Sequence, residues 1–394
     1  MNTDVLSSGD KPPGSIAMRR FMSICFLAVL GCFWISGDAI AETDLLSLPA
    51  HQVSRDSLGA SVLFDVANTG KRLVAVGESG RIVYSEDNGA TWIQAKVPTS
   101  VTLTAVFFPT VEQGWAVGHD GIVLHSADGG KSWVKQIDGN HVNQITLAGV
   151  EKIIREKKNQ LEKATPEEQE NLAVELEDLE FLLKDTKTAI DEGPSRPFMD
   201  LWFEDEREGV VVGAFGMILH TLDGGMTWHS MVDRIDNPDG YHYYGITRAG
   251  SLFLAGEGGM LFRWDDEKAT WTRLELEHDG SFFGIIGSPD GEYVIAFGQG
   301  GDAYRSDDQG ASWEPVEMPE SGSLSGASIL SDGSVVMVST AGALVHSVDR
   351  GKRFSLLRHR AEGCVAAAEA RPGEVVLAGI AGLDRIVVKD VLVK

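Results

Sequence analysis

The chain has 394 residues, and its 58 acidic residues outnumber its 34 basic residues, which gives a formal net charge of −24. Nucleic-acid backbones are bound through basic patches, so this composition argues against a nucleic-acid partner. Hydrophobic residues make up 43% and charged residues 23%, which excludes extensive disorder. Glycine occurs 45 times, an excess that indicates many tight turns.

The N-terminal segment has the pattern of an export signal. An arginine pair at residues 19–20 precedes an apolar run at residues 21–35, which is too short to span a bilayer comfortably. Residues 39–41, Ala-Ile-Ala, have the small-x-small pattern that signal peptidase cleaves. We therefore expect a Sec signal peptide cleaved before Glu42 and a protein exported to the periplasm.

The three cysteines determine whether the chain could carry a lipid anchor or a disulfide bond. Residues 29–32, Val-Leu-Gly-Cys, could instead place a lipid on Cys32, an alternative that fits less well than cleavage before Glu42. Cys25 and Cys32 both belong to the expected signal, so Cys364 alone remains in the exported chain. No intramolecular disulfide is then possible, and the fold depends on its core.

A short motif, Ser-x-Asp-x-Gly-x-x-Trp, recurs along the chain and is known as the Asp-box or bacterial neuraminidase repeat. Its Asp and aromatic positions are Asp87 and Trp92, Asp128 and Trp133, Asp223 and Trp228, Asp266 and Trp271, Asp308 and Trp313, and Asp349 and Phe354. The copies at Asp266 and Asp349 are degenerate. The Asp can accept backbone N–H groups inside a turn, and the ring can be buried between repeats. We predict a structural role, because six copies spread around a ring cannot converge on one substrate or metal.

An apolar run ending in a Gly-x-x-Gly turn precedes each Asp-box. The first positions of these turns, including one beyond the last Asp-box, are Gly77, Gly118, Gly213, Gly256, Gly298, Ser339 and Gly379. They recur at about 41 residues, with one longer interval. In the first repeat, residues 62–66, 73–77, 82–85 and 92–97 have strand character. The pattern predicts an all-β fold, a seven-bladed β-propeller with four-stranded blades.

The two ends of the repeat region complement each other. The seventh repeat reaches Lys394 where its fourth strand should begin, and residues 44–53 have the character of an outer strand. We predict that this N-terminal strand closes the last blade, which would protect two sheet edges.

The Gly-x-x-Gly turns join the second and third strands, so they share one face with the connections between blades. Candidate partner-binding residues at the turn tips are Glu78, His119, Asp120, Phe215, Glu257 and Gln299. The carboxylates among them would give the central funnel a negative mouth that could receive a cation or a basic peptide. The alternative is that these side chains are solvated turn residues.

Residues 141–193 occupy the long interval and are rich in Glu, Lys and Leu without Trp. Thr165-Pro166 begins a helix, and the apolar spacing predicts a hairpin of two helices, of about 16 and 25 residues. Candidate docking residues are Ile154, Leu172, Leu176, Leu179 and Leu183. The hairpin is either a lid packed on the propeller or an arm that docks a partner. The expected division is a signal peptide at 1–41, blades 1 and 2 with the closing strand at 42–140, the hairpin at 141–193, and blades 3 to 7 at 194–394.

Motifs for catalysis and metal binding are absent from the sequence. It has no His-Glu-x-x-His, paired Cys-x-x-Cys, Gly-x-Gly-x-x-Gly or phosphate-binding loop, so we expect no metal, cofactor or catalytic residue. The alternative is a glycosidase or sialidase, since sialidases share the Asp-box. Tyr241, Tyr243 and Tyr244 could supply a tyrosine nucleophile, but no arginine triad can be assigned. We therefore predict a protein that is not an enzyme, with carbohydrate as the less favoured ligand.

The segment 114–133, which joins a Gly-x-x-Gly turn to an Asp-box, resembles the photosystem II stability and assembly factor propellers of plants and cyanobacteria. The resemblance covers residues 44–140 and 196–394. It implies a non-enzymatic seven-bladed propeller that helps to assemble a membrane complex by binding an unfolded or partly assembled subunit.

Two departures affect what this resemblance implies. Photosynthetic members use an arginine-rich patch, whereas this chain is acidic, and the hairpin is foreign to them. The chain looks more like non-photosynthetic bacterial relatives that often accompany exporters of the resistance–nodulation–division type. The resemblance thus implies a periplasmic accessory or assembly protein that binds a membrane complex and is at most peripheral to the membrane. An assembly factor of photosynthetic membranes remains a further alternative, and no binding residue is carried over.

Overall fold

The computed structural model describes residues 44–54, Leu58 and 61–391. The expected signal peptide at 1–41, its cleavage site and Cys32 lie outside the described residues. Among the residues that are described, no helix is both long enough and apolar enough to cross a membrane.

Each sequence repeat folds as an antiparallel sheet in which consecutive strands pair, and seven such sheets form the blades of a propeller. Blade 1 contains β1 (Leu63–Asn68), β2 (Leu73–Gly77), β3 (Ile82–Ser85) and β4 (Ile93–Gln94). Blade 2 contains β5 (Leu103–Phe107), β6 (Gly114–Gly118), β7 (Val123–Ser126) and β8 (Val134–Ile137). Blade 3 contains β9 (Phe198–Phe203), β10 (Gly209–Gly213), β11 (Ile218–Thr221) and β12 (His229–Ser230). The seven-bladed prediction is confirmed.

The remaining blades follow the same plan. Blade 4 contains β13 (Tyr243–Ala249), β14 (Ser251–Gly256), β15 (Leu261–Asp265) and β16 (Thr270–Arg273). Blade 5 contains β17 (Phe282–Gly287), β18 (Val294–Gly298), β19 (Ala303–Ser306) and β20 (Glu314–Pro315). Blade 6 contains β21 (Leu324–Ile329), β22 (Val335–Ser339), β23 (Ala343–Ser347) and β24 (Ser355–Arg360). Blade 7 contains β25 (Cys364–Arg371), β26 (Glu374–Gly379) and β27 (Gly382–Val387).

The core consists of apolar layers between neighbouring blades. The second strand of blades 1 and 2 is buried at every position, because blades cover both of its faces. Val66 of blade 1 packs with Ala366, Ala368 and Val376 of blade 7, so the same kind of layer joins the first blade to the last. Each fully buried Val or Leu contributes roughly 1.5–3 kcal/mol, which makes these layers the main stabilising term.

The N-terminal segment does not take the place that we expected. The ring is closed by packing of β1 against β25, and the seventh sheet has three strands within the described residues. Residues 44–53 form no strand; the N–H of Ala50 donates to the carbonyl of Val97 at 3.2 Å. Leu46 and Ala50 are buried in the layer between blades 1 and 2, and Pro49 has no N–H to donate to a ladder. Apolar burial beside blade 1 therefore replaces the predicted strand pairing.

The insertion is a pair of helices, α1 (Gly139–Leu161) and α2 (Pro166–Glu192). The side chain of Asp138 caps α1 by accepting from the N–H of His141, so the helix starts before residue 141 and has 23 residues rather than about 16. Thr165 and Glu168 form the capping box of α2, with Pro166 in its first turn. The hairpin fold is confirmed, and local capping explains where both helices begin.

Candidate protein-binding face

The Gly-x-x-Gly segments of blades 1 to 5 form 3₁₀ turns, and those of blades 6 and 7 form tight turns. A methyl group on Gly77 would lie 2.0 Å from the carbonyl oxygen of Val62, so this position of blade 1 admits no side chain. Ser79, Asp120 and Phe215 adopt positive φ angles of 53°, 54° and 56°. We call the face formed by these seven turns and by the connections between blades the turn face; the Asp-boxes form the opposite, Asp-box face.

The predicted tip residues are all on the turn face, but they do not form one cluster. Glu78, His119 and Gln299 are exposed, whereas Asp120 and Glu257 are half-buried. Burial raises the pKa of Asp120 and lowers the pKa of His119, so it disfavours charge on both. Phe215 of blade 3 and Glu257 of blade 4 both contact His242, as described next. Ser281 accepts from the N–H of Gly258 in the blade 4 tip and donates its own N–H to Gln299 in the blade 5 tip.

A row of aromatic rings crosses the turn face from blade 3 to blade 5. Phe215 lies 4.9 Å from His242, His242 lies 6.1 Å from Tyr244, and Tyr244 lies 5.8 Å from Phe283, measured between ring centroids. Phe215 is 46% exposed, and the other three side chains are partly accessible. We call these four residues the aromatic strip.

A bulge at the start of the inner strands produces the open rings. In blade 4 the register shifts between Tyr243 and Gly245, so Tyr244 is left out of the ladder. In blade 5 the same shift leaves out Phe283. The preceding aromatic residue is fully buried in both blades. From sequence, Tyr244 was a candidate only for catalysis and the strip was not predicted. The signal for the strip is a pair of aromatic residues at the start of successive inner strands.

The connections that follow blades 3, 4 and 5 on the turn face are acidic. The connections that leave blades 3, 4 and 5, at residues 231–242, 274–281 and 316–323, carry Asp233, Asp236, Asp239, Glu275, Glu277, Asp279, Glu317 and Glu320. Arg234 is the only Lys or Arg in those connections. The carboxylate of Glu257 accepts from the N–H of His242 at 3.2 Å, and burial lowers the pKa of the His242 ring. At neutral pH the histidine therefore adds little positive charge.

Arg196 joins the strip to the hairpin. Its guanidinium donates to both carboxylate oxygens of Asp185 on α2 at 2.8 and 3.0 Å, and it lies 4.5 Å from the ring centroid of Phe215. Asn143 of α1 donates to the carbonyl of Ala189 at 3.0 Å. The base of the hairpin is thus held next to blade 3.

The predicted docking residues of the hairpin line its own seam. Ile154 and Leu176 are buried, and Leu179 and Leu183 pack against them together with Val232 of the propeller. Leu172 is half-buried. These side chains hold the two helices to each other and to blade 3, so they do not form an open docking surface. The large exposed apolar side chains of the hairpin are instead Val174 and Phe181.

Replacing Arg196 with alanine is expected to loosen the base of the hairpin, because the variant loses two charged hydrogen bonds and a ring contact. We expect amide hydrogen exchange in both helices to accelerate by about tenfold, with exchange in the blades unchanged. Hydrogen–deuterium exchange mass spectrometry measures this effect. Lys158→Ala, which removes the exposed ion pair with Glu180, is the matched control, since surface pairs contribute little. Equal exchange in the two variants would contradict the role of Arg196.

The Asp-box carboxylates accept hydrogen bonds from residues of their own turns. Asp128 accepts from the hydroxyls of Ser126 and Ser132 and from the N–H groups of Lys131 and Ser132, at 2.6 to 3.0 Å. Equivalent bonds recur at Asp87, Asp223, Asp308 and Asp349. Hydrogen bonds from the neighbouring hydroxyl and N–H lower the pKa of Asp87, Asp223 and Asp308 to about 2. Such groups are ionised acceptors and are poorly suited to general acid chemistry.

The fourth copy of the motif departs from this arrangement. Asp266 is exposed and makes none of these bonds among the described residues; the neighbouring Asp265 accepts from the N–H groups of Glu267 and Lys268 instead. Trp264 stands where the other copies have the anchoring hydroxyl, so the strands extend further into a tighter turn. Asp266 is therefore a surface residue and not an Asp-box residue.

The aromatic residues of the motif pack on the preceding blade. Trp133, Trp228 and Trp271 are buried in the layers shared with blades 1, 2 and 3. Trp92, Trp313 and Phe354 are half-buried and pack at the corresponding layers. The aromatic residue of each motif is therefore part of the apolar core between two blades.

Two other carboxyls have strongly shifted pKa values, and both hold the inner strands together. Asp65 accepts from the N–H of Val106 in blade 2, and Asp200 accepts from that of Ile246 in blade 4, each at 2.8 Å. Burial raises the pKa of Asp65 to about 6 and that of Asp200 to about 7. Their oxygens are engaged by backbone amides, which assigns them a structural role.

The remaining reactive groups among the described residues do not form a recognisable metal site. In the part of the chain that the structure describes, no group of three or more His, Cys, Asp or Glu side chains could hold a metal ion. Cys364 is buried, and burial raises the pKa of its thiol to about 11. A thiol with this pKa is a weak nucleophile at neutral pH.

Fold and face together define a seven-bladed Asp-box propeller whose turn face carries an aromatic strip and a helical hairpin. The model of the photosynthesis system II assembly factor YCF48 family matches residues 46–142 and 186–363. The chain therefore belongs to the YCF48 family. The residues between the two matched segments lie within the hairpin.

Solved structures show the same fold at low sequence identity. YCF48 bound to D1 peptide is 17% identical with a TM-score of 0.56, covering 86% of this chain and 98% of that one. YCF48 from Cyanidioschyzon merolae is 15% identical with a TM-score of 0.56, covering 83% and 96%. The WD40 propeller domain of Doa1 is 10% identical with a TM-score of 0.55, covering 86% and 95%. No curated protein matches the chain in the sequence comparison.

Proposed function

We propose that this protein is a non-catalytic assembly or accessory factor that binds a segment of a membrane-protein subunit on its turn face. The observation that carries the proposal is membership of a family of assembly factors. A propeller of this family is known with a D1 peptide bound, which supports peptide binding as the mode of action. The ring would act as a rigid scaffold that presents its turns and hairpin.

A non-catalytic role also agrees with the chemistry of the described residues. Five Asp-box carboxylates are bound within their own turns, and the shifted carboxyls Asp65 and Asp200 are bound to backbone amides. An Asp-box glycosidase would need a pair of carboxylates facing one substrate position. No observation favours that alternative over the scaffold.

We further propose that the protein acts outside the cytoplasm, in the periplasm. The support is the arginine pair, the apolar run and the Ala-x-Ala pattern of residues 19–41. Mass spectrometry of the protein from its native host is expected to find an N-terminus at Glu42. A lipid-modified Cys32 at the N-terminus would mean cleavage before Cys32 and anchoring to a membrane, and an intact residue 1 would overturn export. Service to an exporter of the resistance–nodulation–division type is the narrower proposal, and it rests only on the resemblance to bacterial relatives that carry a hairpin in the same interval.

The partner is tested by photo-crosslinking in native membranes. A photoreactive amino acid at Gln299 of the turn face is expected to capture one integral membrane subunit, and the same group at Met226 of the Asp-box face is not. Both positions are exposed, so accessibility is matched. Capture from Met226 alone, or from neither position, would contradict the proposed binding face.

The hairpin is tested separately by deletion. Its ends are adjacent, because a methyl group on Gly139 would lie 2.9 Å from the Cα atom of Pro194. Residues 140–193 can therefore be removed and Gly139 joined to Pro194 with little disturbance of the blades. Loss of the crosslinked subunit in this variant would identify the hairpin as a docking arm; unchanged capture would identify it as a lid.

A further inference from the structure

The side of α2 that is turned away from α1 carries two large exposed apolar side chains. Val174 is 59% exposed and Phe181 is 65% exposed. They lie about 140° and 200° around the helix from Leu179, which packs in the seam with α1. Seven residues separate them, so they share one side of the helix at a distance of about 10 Å. Single exposed apolar side chains are ordinary, whereas two in one row of a helix form a surface on which another element can dock.

Carboxylates border both of these side chains. Glu170, Glu177 and Asp178 are exposed, and each lies three or four residues from Val174 or Phe181, on the same side of the helix. Lys184 is the only lysine or arginine within four residues of either apolar side chain. We call Val174, Phe181 and these three carboxylates the outer face of α2.

The hairpin does not neutralise the carboxylates of the outer face. Its ion pairs between helices lie at the seam, where Glu175 pairs with Lys157 and Glu180 pairs with Lys158 at 3.3 Å. In the part of the chain that the structure describes, no ion pair involves a carboxylate of the outer face. The outer face therefore keeps its negative charge for a partner.

This charge distinguishes between the possible occupants of the face. A second copy of the chain would bring the same carboxylates against each other, because a two-fold contact pairs a patch with itself. An anionic lipid surface would be repelled by them. A protein segment with lysine or arginine beside apolar residues is complementary to the face in both charge and polarity.

The geometry of the face favours a helical segment. The helix α2 has 27 residues, and the apolar positions of its outer face are seven residues apart. Helices that pack along each other at a small angle present apolar side chains with a seven-residue repeat. Successive turns of a partner helix would therefore meet Val174 and Phe181, and its flanking cations would reach the carboxylates.

We propose that the outer face of α2 binds a basic amphipathic helix of a partner protein, which packs along the hairpin as a third helix. This inference goes beyond the proposed function, because it concerns a second surface and requires no binding on the turn face. Basic segments beside membrane spans lie mainly on the cytoplasmic side. For a protein exported as proposed above, the helix therefore belongs to a domain of the partner that folds outside the membrane.

The probe is a fluorescent peptide of about 20 residues, long enough to form a helix, with a row of leucines at the seven-residue repeat and lysines on both sides of it. Binding to the full chain is measured by fluorescence anisotropy, and helix formation by circular dichroism. We expect the peptide to bind and to gain helicity, and we expect binding to weaken as salt is added. A matched peptide with glutamate in place of every lysine should not bind. A second, with alanine in place of every leucine, should bind weakly.

Variants of the chain locate the binding surface. Phe181→Ala should raise Kd by about tenfold, because it removes the largest apolar contact, and Glu177→Gln should raise it by about threefold. The matched controls are Met226→Ala and Glu267→Gln, at exposed positions of the Asp-box face, and both should leave Kd within about twofold. Melting temperatures establish that each variant is folded. Equal loss in test and control variants, or equal binding of the glutamate peptide, would overturn the inference.

The native partner is tested with a photoreactive amino acid at Asn171, which is exposed beside the outer face. In cells of the native host, the captured segment should contain lysines or arginines on both sides of an apolar helical row, and its capture should be lost in Phe181→Ala. Capture of a second copy of the chain, of a segment without basic residues or of no protein would contradict the proposal, as would capture that Phe181→Ala leaves intact. The turn face is tested separately from Gln299, so failure at either surface is distinguishable from failure at the other.

Discussion

Replacing Asp128 with alanine is expected to lower the free energy of unfolding by about 3 kcal/mol. One carboxylate there accepts four hydrogen bonds from Ser126, Lys131 and Ser132, and these bonds define the turn between β7 and β8. Without them the turn no longer directs Trp133 into the layer between blades 1 and 2, where its ring is 4% exposed. The loss of turn geometry and the loss of packing therefore both lower the free energy of unfolding.

Chemical denaturation monitored by tryptophan fluorescence measures this loss. Asp266→Ala is the matched control, because the same residue type at the same motif position lies exposed in blade 4 without these bonds. We expect the control to change the unfolding free energy by less than about 0.5 kcal/mol. A similar loss in both variants would mean that the motif position, and not the hydrogen-bonded turn, is responsible.

The second large effect concerns pH and the buried carboxyl of Asp200. Burial raises its pKa from 3.8 to about 7, so the folded protein holds this proton more tightly than the unfolded chain does. A raised folded pKa contributes stability that is fully present below pH 3.8 and is lost as pH rises through about 7. Between about pH 5 and pH 8 the contribution of Asp200 should fall by about 2 kcal/mol.

The variant Asp200→Asn isolates this contribution, since asparagine does not titrate. The difference in unfolding free energy between the natural protein and Asp200→Asn should be larger at pH 5 than at pH 8. The variant comparison is necessary because burial lowers the pKa of His125 and His346, which gives the opposite slope with pH. Asp266→Asn, at an exposed position, serves as the control. A difference that is constant with pH, or that grows toward pH 8, would show that Asp200 is not protonated in the folded state.

Local sequence is sufficient for the blades and for the ends of the helices. A Gly-x-x-Gly turn needs glycine where a side chain would meet a carbonyl oxygen, as at Gly77, and an Asp-box needs its hydroxyl, carboxylate and glycine within a few residues. Repetition of both signals at one period leaves few folds other than a ring of four-stranded blades. Asp138 and the pair of Thr165 and Glu168 likewise cap helices through neighbours in sequence.

The candidate binding face was only partly predictable, because its residues meet across long stretches of chain. Phe215, Tyr244 and Phe283 come from three different blades, and bulges that only strand pairing reveals leave two of these rings open. The sequence located the turn tips but did not show which tips share a neighbour. Apolar spacing showed that the leucines of the hairpin form a seam, but not that Val232 and the partner helix cover it.

The seven-bladed ring, the turn chemistry and the helical hairpin can be predicted from local sequence, because each depends on short-range hydrogen bonds and periodic burial. The position of residues 44–53, the loss of the motif bonds at Asp266 and the formation of the aromatic strip depend on tertiary packing. Each of these is a competition between alternative long-range contacts. Burial of Leu46 and Ala50 beside blade 1, for example, takes the place of a strand in blade 7. Such competition is settled by packing in three dimensions, which no local pattern encodes.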